Sequence, residues 1–182
     1  MGKIKSNKEF EQITVLIEEA RNRAFHKVNE HLVLLYFKVG SIVSARVLEG
    51  IWGDSTVDEL ALYIESKYAG LKGFNRRGLY RMKQFFEIYS DEKFVSTLST
   101  QLQKTENEAI TIVPTLLAQL PWSSHLIIIS KTKTPEERIF YIQSAITEKW
   151  SVRDLERQLN SAVFERTVLA SKKVSTVLTQ LP

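Results

Sequence analysis

Six cationic side chains fall between Glu65 and Glu87, and no acidic residue interrupts them. They are Lys67, Lys72, Arg76, Arg77, Arg81 and Lys83. Lysine and arginine neutralise phosphates, and arginine also reads guanine edges in a DNA major groove. The whole chain carries a net charge of only +4, so the remainder of it is net negative. This local concentration of charge predicts a surface for a polyanion.

The same segment has two sides when its GFNRRGLYRMKQFFEIY portion is drawn as a helix. One side is apolar and predicts a core contact through Leu79, Met82 and Phe86. The opposite side carries the residues we expect to contact nucleic acid, which are Arg77, Tyr80, Arg81 and Gln84, flanked by Arg76 and Lys83. Lys67 and Lys72 come just before this helix, where we expect them to meet phosphates. The alternative is an ordinary solvated basic face.

A second and weaker candidate for nucleic-acid contact lies in WSVRDLERQLN, where Arg153 and Arg157 share a helix face. Asp154 and Glu156 dilute the positive charge there. We therefore expect this helix mainly to pack inward.

Residues for catalysis or metal binding are sparse. The chain has three histidines, His26, His31 and His125, whose spacing does not match a zinc protease motif. Asp58 followed by Glu65-Ser66-Lys67 imitates the order of acids in a metal-dependent nuclease, but these residues are predicted to lie along one helix. The sequence thus predicts no catalytic site, no metal site and no cofactor.

The elements that position these residues are predicted to be helices throughout, in a single all-α domain over 1–169. Apolar residues at steps of three and four predict a long helix over 8–48, either continuous or divided near Asn29. A helix-turn-helix is predicted over 54–90, with Asn75 capping its second helix. Residues 95–110 are predicted to form a loop, 114–166 a C-terminal helical part, and 170–182 a tail or linker.

The bulk composition narrows the class of protein. The chain has 182 residues and no cysteine, which excludes disulfides and thiol chemistry and agrees with a cytoplasmic location. Its most apolar run, HLVLLYFKVGSIVS, contains Lys38 and is predicted to be too short for a membrane span. This run favours either a buried core helix or a homodimer contact over Leu32 to Val43. A protein-interaction or homo-oligomerisation module is therefore the alternative to DNA binding.

Several blocks, taken in order, resemble one known family. They are VDELALYIESKYAGLKGFNRRGLYRMKQFFEIY, LPWSSHLIIIS and ERIFYIQSAITEKWSVRDLERQLNSAVFER. Together they are similar to the N-terminal domain of the YhcG-like bacterial PD-(D/E)XK nucleases, from about Ile17 to Arg166. The matching positions are Gly73, Phe74, Leu79, Met82, Phe85, Trp122, Ser123, Trp150, Ser151 and Leu155, and Arg77, Arg81 and Lys83 also fit the pattern.

The resemblance implies a mostly helical domain that precedes a nuclease domain in longer relatives. It also implies a role in recognising DNA for that nuclease, in proteins linked to DNA cleavage. No PD…(D/E)xK motif follows Arg166 in this sequence. We therefore expect a non-catalytic DNA-binding or targeting module.

Overall fold

The computed structural model describes residues 8–168, and all regular structure in that range is helical. Eight helices follow one another, and the chain is helical again over 163–168. Their bounds are α1 Lys8–Leu48, α2 Asp54–Lys67, α3 Arg76–Ser90, α4 Glu92–Leu102, α5 Glu106–Leu117, α6 Trp122–Lys131, α7 Pro135–Thr147 and α8 Val152–Asn160. The predicted all-α class is confirmed, while the predicted tail over 170–182 lies outside the described residues.

The predicted long helix over 8–48 is present as one continuous helix, α1. No break occurs at Asn29. Its side-chain amide instead donates to the carbonyl oxygens of Leu120, at 3.0 Å, and Ala118, at 3.4 Å. These bonds tie α1 to the connection between α5 and α6. They also mark where the burial of α1 changes. Every side chain from 8 to 28 is exposed, and all buried side chains of α1 come after Asn29.

The C-terminal half of α1 packs most extensively on α3, and Gly40 lies at their closest approach. A Cβ atom at this position would lie 2.1 Å from the carbonyl oxygen of Met82. Val33, Tyr36 and Val43 are buried on the same half. Much of the 32–43 region that could have paired with another chain is therefore occupied within the domain, although Leu32, Leu35 and Ile42 remain exposed.

The predicted loop over 95–110 is wrong, because α4 and α5 cover most of it. Asp91 caps α4, and Thr105 with Glu108 forms a capping box at the start of α5. The Ser and Thr residues that made the segment look irregular bond back to carbonyls of their own helix, as Thr97 does to Lys93 and Thr100 to Ser96. These side chains satisfy their own polar groups, so the helix tolerates them while Phe94 is buried in the core.

The predicted helical part over 114–166 is present as the end of α5 followed by α6, α7 and α8. Capping boxes formed by Thr134 with Glu137 and by Ser151 with Asp154 begin α7 and α8. This part supplies much of the larger hydrophobic core, which also receives Phe85 and Tyr89 from α3. A smaller core lies between α1, α2 and α3. Because α3 contributes side chains to both cores, packing on two of its sides fixes its position.

By length and composition α1 could span a membrane, since its most apolar 18-residue stretch has a mean hydropathy of 1.5. The sequence had predicted no stretch of that kind. Core helices of soluble proteins pass the same test, and α1 contributes Val33, Tyr36 and Val43 to the two cores. The finding is therefore weak evidence for a membrane span.

Candidate nucleic-acid interface

The start of α3 is set by a turn that contains two glycines and a cap. Gly73 has a φ of +95°, a conformation that other residues rarely adopt. Gly78 packs against it so closely that a Cβ atom there would lie 1.8 Å from the Gly73 carbonyl oxygen. The Asn75 side chain accepts a hydrogen bond from the Gly78 amide at 2.9 Å, which confirms the predicted cap. The turn thereby determines where Arg76 and Arg77 enter the helix.

The inward side of α3 holds four buried side chains, Leu79, Met82, Phe85 and Tyr89. Phe86, which the sequence assigned to the core, is only partly buried. Phe85 takes that place, with its ring centroid 5.1 Å from Trp122 and 5.8 Å from Phe37. This packing determines which residues of α3 face solvent.

The outward side of α3 brings five of the predicted contact residues together. Together with Glu87 they line one shallow depression, and they are Arg77, Tyr80, Arg81, Lys83 and Gln84. Arg77 and Gln84 are exposed, whereas Arg81 is partly exposed. Among the residues described, neither Arg77 nor Arg81 forms an ion pair with a carboxylate. Their charge is therefore not locally neutralised.

Arg76 differs from its neighbour because two carboxylates of α2 hold it. Its Nη2 lies 3.2 Å from Asp54 Oδ2 and its Nη1 lies 3.3 Å from Asp58 Oδ2. The Tyr80 hydroxyl donates to Asp54 as well, and this hydrogen bond raises the pKa of Tyr80. The sequence reasoning missed the role of both aspartates, since they lie 18 or more positions before the residues they contact.

Lys83 is also partnered. Its Nζ lies 2.7 Å from Glu87 Oε1, one helical turn further along α3. The same carboxylate oxygen accepts a hydrogen bond from Ser44 Oγ of α1, also at 2.7 Å. Glu87 thus connects α3 to α1, and the cation of Lys83 is largely offset.

Lys67 and Lys72 lie at the other end of the predicted surface. Lys67 ends α2, and its Nζ lies 5.9 Å from the centre of the Tyr63 ring. Lys72 lines a separate groove between α2 and α3, which also contains Asp58 and Glu65. Residues 68–75, which connect α2 to α3, exceed the three or four residues usual in a DNA-binding helix-turn-helix. The two helices have the predicted order, and the helix-turn-helix itself stays a prediction.

The second candidate pair lies on α8. Arg153 and Arg157 are both exposed there, and Arg157 donates to Asp154 at 2.7 Å. The inward side of this helix carries the buried Leu155, as expected for a helix that packs on its neighbours. This pair is consequently less free to bind phosphates than Arg77 and Arg81.

The described residues contain no group of three acidic or histidine side chains placed to hold a metal ion. Asp58, one of the acids that imitate a nuclease motif, instead pairs with Arg76. His125 is buried, with its Nε2 2.8 Å from the Leu117 carbonyl oxygen. Asp58 thus forms an ion pair and His125 packs in the core.

A family model described as the DUF1016 N-terminal domain matches residues 12–166. This match covers most of the sequence, including α3 and both cores. The chain belongs to the DUF1016 N-terminal domain family. The resemblance seen in the sequence blocks is thereby confirmed.

The chain is also similar to a longer protein named "Putative nuclease YhcG" from Escherichia coli (strain K12). The two are 26% identical over 177 residues, covering 87% of this chain and 45% of that protein. The chain thus spans less than half of its relative and corresponds to its N-terminal part. No solved structure matches this DUF1016 N-terminal domain.

Proposed function

We propose that this domain binds DNA through the outward side of α3 and positions a nuclease domain in longer relatives. One observation carries the proposal: Arg77 and Arg81 lie side by side on α3, and no carboxylate in the described region pairs with either. Other cations of α3, Arg76 and Lys83, do have such partners. The family relationship to a protein named as a nuclease supports DNA as the polyanion.

The roles within the surface follow from its geometry. The exposed Arg77 and Gln84 carry donors suited to base edges, and Arg81 lies between them. Lys67 and Lys72 lie outside this depression, where cations meet backbone phosphates. Asp54 and Asp58 hold the Arg76 guanidinium in one orientation before DNA binds.

We assign the domain a non-catalytic role because it matches less than half of a longer protein named as a nuclease. Cleavage would then belong to the part of the longer relatives that this chain does not match. A domain with this function works where the DNA is, so we assign it to the bacterial cytoplasm.

The decisive test measures the affinity of the chain for labelled duplex DNA by fluorescence anisotropy over a series of salt concentrations. The double variant Arg77→Ala/Arg81→Ala should bind about tenfold or more weakly, because each substitution removes a charge-assisted hydrogen bond to the DNA. The slope of log affinity against log salt should also fall by roughly 0.9 for each phosphate that the variant no longer neutralises. Lys67→Gln/Lys72→Gln should lower the slope in the same way, equally for every DNA sequence.

The matched control is Arg153→Ala/Arg157→Ala, which removes the same two charges at the same spacing from α8. This variant should retain nearly the affinity of the unmodified chain. If both arginine pairs weaken binding equally, the assignment to α3 is wrong. If the unmodified chain does not bind DNA at low salt, or prefers RNA of the same sequence, the proposed function is wrong.

A further inference from the structure

The N-terminal half of α1 carries an apolar surface that nothing within the described domain covers. All side chains of residues 8–28 are exposed, among them seven large hydrophobic ones. They are Phe10, Ile13, Val15, Leu16, Ile17, Phe25 and Val28, each between 52% and 65% exposed. At 1.5 Å per residue this segment extends about 30 Å. Exposed apolar surface of this extent marks an interaction site.

The spacing of these residues indicates what type of partner fits. Phe10, Ile13, Ile17, Ala20 and Ala24 recur at steps of three and four, which is the seam of a coiled coil. The large side chains come first along the seam and the two alanines come last. A partner helix that runs antiparallel and has the same sequence would place Ile13 beside Ala24 and Ile17 beside Ala20. These layers would then combine one large and one small residue, and Phe10 would lie beside the aliphatic part of Lys27, whereas a parallel pair would leave the alanine layers underfilled.

The charges along the same segment favour the same arrangement. Residues 8–19 contain one lysine and four glutamates, while residues 20–28 contain three cations and no acid. An antiparallel second copy brings the acidic half of one helix beside the basic half of the other. A parallel second copy would place like charges side by side, at a cost in free energy.

We propose that a second copy of this chain covers this segment, as an antiparallel two-helix coiled coil centred axially on Glu18 and Glu19. The seam ends before Asn29, where α1 is anchored to the domain body. The two bodies would therefore lie at opposite ends of the pair, about 30 Å apart along the helix axis. The outward side of α3 stays open in each copy. This interface differs from the 32–43 region, which packs on α3.

The first test compares the mass of the chain in solution with that of two variants, by light scattering or sedimentation at micromolar concentrations. The chain should have twice its 21.0 kDa mass. Ile13→Asp/Ile17→Asp should raise the dissociation constant of the dimer more than tenfold, because it buries charge in the seam. Val15→Asp/Asn22→Asp adds equally many charges away from the seam and should leave the dimer intact. Thermal unfolding followed by circular dichroism checks that the domain body is folded in each variant.

The second test determines the helix orientation and uses the absence of cysteine from the chain. An Ile13→Cys chain mixed with an Ala24→Cys chain should form a disulfide on mild oxidation. Ile13→Cys alone should not, because its two copies would lie about 16 Å apart along the axis, beyond the reach of a disulfide.

Three results would each overturn the proposal. One is a monomeric chain at these concentrations. The apolar surface of residues 8–28 would then be covered by another part of a longer protein or by an unrelated partner. Another is a dimer that Ile13→Asp/Ile17→Asp does not weaken. The third is efficient cross-linking of Ile13→Cys to itself, which would show a parallel pair. None of these results bears on DNA binding by α3, so the two proposals fail independently.

Discussion

Arg76 of α3 and Asp54 of α2 form an ion pair across the helix connection, with Nη2 and Oδ2 3.2 Å apart. Asp54 also accepts a hydrogen bond from Tyr80, so one carboxylate orients two of the predicted contact residues. Its side chain is 74% exposed. Exposed ion pairs contribute little to folding, and this pair therefore matters mainly for the charge and geometry of the surface.

Asp54→Asn should strengthen DNA binding severalfold at low salt. The substitution removes a negative charge from the edge of the basic surface and leaves Asp58 as the one carboxylate paired with Arg76 in the described region, so Arg76 can contact a phosphate more readily. Anisotropy with the same labelled duplex measures the change. The control Glu59→Gln removes an equal charge from the exposed side of α2 without touching Arg76. An equal gain in both variants would show a general charge effect and would contradict a specific role for the Arg76 pair.

Gly40→Ala should destabilise the domain by about 2 kcal/mol or more, since the added methyl group meets backbone that cannot move aside cheaply. The methyl carbon would lie 2.1 Å from the Met82 carbonyl oxygen, where α1 and α3 approach most closely. Urea unfolding followed by circular dichroism measures the free energy of unfolding.

Gly53→Ala is the control for this substitution. Gly53 precedes α2 with a φ of −90°, and a Cβ atom there meets nothing within 4 Å. Gly53 is the N-cap of α2, where alanine is less favourable than glycine, so this variant should lose about 0.5 to 1 kcal/mol, clearly less than Gly40→Ala. Equal stability of the two glycine variants would show that α1 and α3 do not approach as closely as the structure has them.

The domain should lose stability as the pH falls, and His125 should account for a distinct part of that loss. Burial lowers the pKa of this side chain from 6.5 to about 4. The unfolded chain therefore takes up a proton first. The stability that His125 contributes is complete above pH 6.5 and is lost as the pH falls toward about 4. Over that interval the loss is on the order of 3 kcal/mol.

His125→Gln isolates this contribution, because glutamine retains a donor for the Leu117 carbonyl but does not titrate. The free energy of unfolding of this variant should depend less on pH than that of the unmodified chain over the same interval. The control is His26→Gln, which makes the same substitution at an exposed position of α1 away from the core. Parallel pH curves for the unmodified chain and His125→Gln would refute the assignment.

Signals close together in the chain predicted most of the fold correctly. Asn75 caps α3, and Thr134 with Glu137 caps α7, because a cap joins residues only three positions apart. The period of the apolar residues likewise predicted α1 as a long helix that ends at Leu48. The same local reasoning failed for α4, where serines and threonines bonded to their own helix conceal that period.

For the candidate interface, too, local sequence predicted some features and tertiary packing decided others. The sequence by itself determined that α3 has a basic side, since residues three and four apart share a helix face. Only the tertiary structure decided that Arg76 is neutralised, because Asp54 reaches Arg76 across 22 positions of the chain. It also decided that Phe85 is fully buried in the core, whereas Phe86 is only partly buried and packs against Phe37 of α1. Such contacts depend on how helices distant in sequence pack together, and no local pattern of residues specifies that packing.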